Sequence, residues 1–197
     1  MPQERTRKIV MTGILGAISV FLGLTHWGFI PWFGGVSLTI MQVPVIIGAV
    51  LEGPWVGGAV GFIFGLFSLI LAAVAPSSPS DVWFTNPLLA ILPRLFIGPF
   101  AWLVWRALKR WPVVGLIASG LAGSLTNTVL VLGMIGLLGL APWVALPPIA
   151  VVNGLPEAGA AAIIVLLVVT AYWHIPTGKK RGANLEDQDQ NRKSQGQ

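Results

Sequence analysis

The chain has no cysteine in 197 residues. That excludes disulfides, thiolate nucleophiles and cysteine-ligated metals, and it leaves the redox compartment unread. Charge is also scarce. Asp, Glu, Lys and Arg together make up 10% of the residues, against roughly 25% in soluble domains. A water-soluble fold of this length has more surface than so few charges can cover. Enzyme signatures are missing as well: there is no H-E-x-x-H, and Gly178-Lys179-Lys180 lacks the rest of a phosphate loop. No spacing of His, Asp and Glu suggests a metal, and no cofactor is expected. A nucleophile at Ser119 needs a base in reach, yet His26 and His174 belong to opposite faces of the membrane topology read below.

What remains is apolar. Hydrophobic residues are 55% of the chain and mean hydropathy is +0.81. About 20 apolar residues cross a bilayer's hydrocarbon as a helix. Runs of that kind occupy 9–29, 36–51, 54–74, 87–108, 113–140 and 149–173. They are long and continuous, without the ten-residue alternation of membrane strands. The first run follows basic residues as a signal peptide would, but further membrane segments follow it, so it reads as a retained helix. Length sets a prior of one domain, placed at residues 1–176. The polar stretch 177–197 reads as a disordered cytoplasmic tail.

The net charge of +5 matters less than its placement. Arg5, Arg7 and Lys8 precede the first run, Arg106, Lys109 and Arg110 lie at the end of the fourth, and Lys179, Lys180 and Arg181 follow the last. The loops near Pro31–Gly35, Pro76–Asn86 and Pro142–Pro148 carry no Lys or Arg. Under the positive-inside rule the expectation is an all-α membrane protein of six transmembrane helices, N-in and C-in. Tryptophans 27, 32, 55, 83, 105, 111, 143 and 173 fall near run ends, as an aromatic belt requires. Bases confined to such flanks do not make a nucleic-acid face.

Two features carry chemistry. Small residues four apart line one side of the first run (Gly13, Ala17) and of the third (Gly57, Gly61, Gly65), where backbones can approach closely. The third reads as contact within the bundle, while the first is open to another protein. Polar residues inside the runs are the second feature. Arg94 and Glu157 are costly in hydrocarbon; they form either a structural pair or a polar pocket in which Arg94 meets a ligand's anion. Gln42, Thr39, Asn127 and Asn153 need partners too, within the bundle or on a ligand. Asp81, Trp83 and Asn86 lie in the outer loop that would cap such a site. A membrane enzyme using Glu157, Asp81 or Ser119, or a bare scaffold, are the competing classes.

Several segments resemble one family: Thr12–Val20, Val43–Pro54, Gly57–Gly65, Leu92-Pro93-Arg94-Leu95-Phe96-Ile97-Gly98, Gly123–Thr128 and Asn153–Ala158. They look like substrate-binding S components of energy-coupling factor (ECF) vitamin transporters, over roughly residues 8–173. The resemblance implies a subunit that captures a vitamin near its outer face. It also implies partners, an EcfT-like transmembrane scaffold and two cytosolic ATPase subunits. The family's A-x-x-x-A face for the scaffold falls on Gly13 and Ala17, with glycine in the first place. The ligand set it implies is Arg94, Asn127, Asn153, Glu157, Gln42, Trp83 and Asn86. Pro93-Arg94 and Ser124–Thr128 look most like pantothenate-type members; folate and cobalamin are the alternative ligands.

Overall fold

The computed structural model describes residues 2–25, 28–31, 37–76 and 80–174. His26, Trp27, Trp32 and the tail from 177 lie outside the described residues. Five helical stretches among those described are long and apolar enough to cross a membrane. These are α1 (Pro2–Leu24), α3 (Pro54–Val74), α4 (Pro87–Leu108), α5 (Pro112–Leu137) and a last, composite stretch, Trp143–Trp173.

The second apolar run departs from the expected membrane helix. It divides into a strand, β2 (Ser37–Thr39), and a ten-residue helix, α2 (Val43–Glu52). The end of the first run departs too: α1 stops at Leu24, and Phe29–Pro31 forms β1, antiparallel to β2 with Phe29 opposite Thr39. The Ile40 N–H donates to the Gly28 carbonyl at 3.0 Å, so the pairing continues to the hairpin's base. A two-stranded ribbon satisfies its backbone where neither flanking helix continues. At about 15 Å, α2 is half the hydrocarbon thickness. It is buried on almost every side, which accounts for its being apolar all round. Val45, Ile46 and Val50 centre the main core, with Val60 and Phe64 of α3, Ile97 of α4, Leu116 of α5, and Val165 and Val169 of the last helix.

The last stretch also begins earlier than the sequence suggests. A 3-10 turn (Trp143–Ala145) leads into α6 (Leu146–Ile149), a π-helical turn (Ala150–Gly154) and α7 (Leu155–His174). Pro147 and Pro148 read as loop residues, but in a first turn they cost nothing, because those N–H groups have no helical acceptor. Helix α5 ends at Leu137, short of Leu140, beside Gly139 at φ +68°.

Helix α3 packs on α4 through its glycines. A Cβ at Gly65 would lie 2.8 Å from the Ala90 carbonyl oxygen, and one at Gly57 would lie 2.9 Å from Gly98 Cα. A Cβ at Gly61 would meet the Arg94 carbonyl oxygen. This is contact within the bundle, and it brings the backbone at Arg94 hard against α3. At one end of the molecule Arg7 grips the α2–α3 turn. Its Nε lies 2.9 Å from Glu52 Oε1, and its Nη2 donates to Oε2 at 3.0 Å. The chain therefore leaves that level in α1 and returns to it by the end of α2. The ring centroids of Trp105 and Trp173 lie 5.4 Å apart, joining the ends of α4 and α7.

Candidate functional site

Proline and arginine act together in α4. Pro93 has no N–H, so the Leu89 carbonyl, four residues back, loses its helical donor. Arg94 Nη1 takes that place, donating to Leu89 O at 2.6 Å. The guanidinium carbon lies 4.7 Å from the Phe84 ring centroid and 5.5 Å from that of Phe64, favourable for a cation on aromatic faces. Arg94 is 6% exposed, and its buried Nε has no hydrogen-bond partner.

Gln42 forms the second part, at the N-terminal end of α2. It is fully buried. Its Nε2 donates to Ser124 Oγ at 2.7 Å, and its Oε1 accepts from Asn127 Nδ2 at 2.8 Å. Glu157, near the start of α7, accepts the Thr39 backbone N–H at 2.6 Å. The hairpin thus brings a backbone donor to an otherwise apolar helix. No ion pair joins Arg94 to Glu157 among the described residues; they interact only through the field across the site. The direct structural pair is not formed.

Asn127 Oδ1 and Asn153 Oδ1 are buried and have no hydrogen-bond partner. Asn153 sits in the π-helical turn, and the next residue, Gly154, packs on Thr128: a Cβ there would lie 2.8 Å from Thr128 Cγ2. The two asparagines therefore belong to touching segments. Unpartnered buried polar atoms are rare in folded proteins, and among the described residues they are Arg94 Nε and these two asparagine oxygens.

The loop residues divide. Trp83 packs with the small cluster of Leu89, Ile135 and Leu146. Asn86 caps α4, its side-chain oxygen accepting from Leu88 N at 3.0 Å. Ser119 is buried and donates to Leu116 O in its own helix at 2.9 Å. Phe64 and Phe84 escape a reading of the sequence, because a phenylalanine in an apolar chain carries no mark of the cation it faces. The Leu89 carbonyl was open to inference from Pro93.

Gly13 and Ala17 are on the exposed side of α1, and a Cβ on Gly13 would meet nothing within 4 Å. Leu15 and Ser19 face inward, with the Ser19 hydroxyl donating to Met41 O at 3.3 Å.

Residues 7–169 match the family model described as ECF transporter, substrate-specific component. A protein of Leuconostoc mesenteroides called pantothenate transporter PanT is 32% identical over 115 residues, covering 56% of this chain and 55% of that protein. The pantothenic acid transporter PanT of Lactococcus lactis subsp. cremoris is 28% identical over 191 residues, covering 87% of this chain and 96% of that protein. With a membrane-spanning helical fold and a family match over most of its length, the chain belongs to the substrate-specific components of ECF transporters, multi-pass proteins of the cell membrane.

Proposed function

We propose that this chain captures pantothenate from outside the cell and presents it for uptake driven by ATP hydrolysis on other subunits. The observation that carries the reading is a set of buried side-chain atoms without hydrogen-bond partners, the Arg94 Nε and the oxygens of Asn127 and Asn153. A small monocarboxylate with hydroxyl and amide donors complements that set. The names of the two relatives point to the same vitamin. Gln42, Asn127, Asn153 and Glu157 build the pocket around Arg94, with Trp83 and Asn86 at its rim.

In this reading the chain crosses the membrane six times, with α2 and the hairpin together making the second crossing and both ends in the cytoplasm. The Arg7–Glu52 bridge and the Trp105–Trp173 contact support it, as do the basic flanks. The chain has no phosphate loop, so energy comes from two cytosolic ATPase subunits through an EcfT-like scaffold docked on Gly13 and Ala17.

The test compares pantothenate with panthenol, in which a neutral alcohol replaces the carboxylate, by calorimetry on the purified protein. Pantothenate should bind at least about tenfold more tightly, as for a charge-assisted hydrogen bond. Arg94→Ala should remove that difference. Binding of folate or cobalamin in place of pantothenate would overturn the assignment.

A further inference from the structure

Three cations gather where α4 ends, and the surrounding sequence holds no carboxylate to balance them. Helix α4 has 22 residues, about 33 Å, enough to cross a bilayer's hydrocarbon from one interface to the other. Arg106 stands in its last turn, and Lys109 and Arg110 follow in the turn to α5; all three are exposed. From Val82 to Pro156 the sequence has no Asp or Glu. The ion pair formed among the described residues is Arg7–Glu52, which involves none of the three. The C-terminal end of a helix offers roughly half a negative charge, so most of this positive charge is left uncompensated among the described residues.

The depth of the cluster points to the anion that fits it. An arginine at a helix end ordinarily extends its charge toward water. Arg106 instead lies back over Trp102, its guanidinium carbon 5.0 Å from the ring centroid. Trp102 comes four residues earlier, about 6 Å nearer the hydrocarbon, so the guanidinium is held at the level of the lipid headgroups. The Trp105–Trp173 contact and the exposed Trp111 mark the same level, as interfacial tryptophans do. Beside the cations Leu103 is 54% exposed and Val113 57%. An anion that brings hydrocarbon with it complements both surfaces.

We propose that the α4–α5 turn is a headgroup site for an anionic phospholipid. Arg106, Lys109 and Arg110 meet its phosphate, Trp102 holds Arg106 in place, and Leu103 and Val113 meet its acyl chains. The site is independent of the pantothenate pocket and of the Gly13–Ala17 face, and it holds whichever side of the membrane that end of α4 faces.

The test titrates the purified full chain in neutral detergent with phosphatidylglycerol or with phosphatidylcholine of the same acyl chains. Phosphatidylcholine has the same phosphate but carries a cation of its own. Thermal unfolding reads stabilisation, native mass spectrometry reads retained lipid, and the melting temperature in phosphatidylcholine checks that each variant folds. Phosphatidylglycerol should raise the wild-type melting temperature several degrees above the phosphatidylcholine value and stay bound. Arg106→Gln with Lys109→Gln and Arg110→Gln should abolish that difference. Trp102→Leu should raise the phosphatidylglycerol concentration for half the effect about fivefold, as for a lost cation–π contact. Arg5→Gln with Lys8→Gln, which thins the other basic flank, should leave the difference in place. Equal losses from the two sets of charge changes would reduce the effect to diffuse attraction and overturn the site. Wild-type protein that melts alike in the two lipids overturns it as well. So does equal stabilisation by inorganic phosphate at the same concentration, which would make the cluster a site for a free anion.

Discussion

A proline next to an arginine decides the chemistry of α4. Pro93 frees the Leu89 carbonyl, and that carbonyl anchors Arg94, so the guanidinium keeps its charge buried with one arm held and Nε uncommitted. Pro93→Ala would restore a backbone N–H to compete for the carbonyl. Alanine also suits a helix interior far better than proline. The expected outcome is a melting temperature equal to or above the wild type with pantothenate affinity several-fold lower, read by thermal unfolding and calorimetry. Arg7 offers the contrasting case. It is 64% exposed at its side chain, but the Glu52 side chain it holds is 1% exposed. Arg7→Ala should cost about 1–2 kcal/mol, because it leaves a buried carboxylate without its cation, discounted for water reaching the arginine side. Adding Glu52→Leu should recover most of that loss in the same unfolding assay.

At the scale of elements, the α3–α4 contact transmits position to the site. Three glycines four residues apart let the helices touch backbone to backbone, and at Gly61 the atom touched is the carbonyl oxygen of Arg94 itself. Gly61→Ala puts a methyl group where a carbonyl stands, and a backbone atom cannot rotate away. Overpacking of this kind costs about 1–3 kcal/mol. Here it should also displace Arg94, so pantothenate affinity should fall further than under Gly133→Ala, where a Cβ would meet nothing within 4 Å. The glycine period was legible in the sequence, as were α3 and α4, because a run of more than 20 mostly apolar residues opened by proline leaves a helix little alternative. The hairpin was not. Ser37-Leu38-Thr39 is too short to show a period of its own, and it joins the apolar Met41–Leu51 without a break. Treating 36–51 as one run hid the fact that α2 is only half a crossing. The burial of Gln42, Arg94, Asn127 and Glu157 could be read from their place in runs where hydrocarbon would not tolerate them. Their division of labour could not, because whether Glu157 faces Arg94 or Thr39 depends on where the hairpin puts a backbone N–H.

At the scale of the whole molecule, one helix stands apart. The most apolar window of α1 is 22% buried, against 39% in each of the other four spans. Its outer side carries Ile9, Val10, Ile14, Ile18 and Phe21, all exposed, with Gly13 and Ala17 between them. Lipid alone would be content with large side chains throughout, since association in a bilayer gains little from hiding apolar surface. Two small residues four apart leave a shallow groove that another helix can enter, and their neighbours supply its walls. The proposed ligand site hangs from α2, α4, α5 and α7 instead, through Gln42, Arg94, Asn127 and Glu157. The two surfaces should therefore separate under mutation. Gly13→Leu and Ala17→Leu fill the groove without touching a packed neighbour of Gly13, so pantothenate affinity in the purified chain should stay within about twofold of the wild type. Co-purification with a co-expressed scaffold and its ATPases should be lost, and vitamin uptake by cells with it. If the complex survives both substitutions, docking uses another face; if affinity falls with assembly, α1 is part of the pocket's frame and the two roles are not independent.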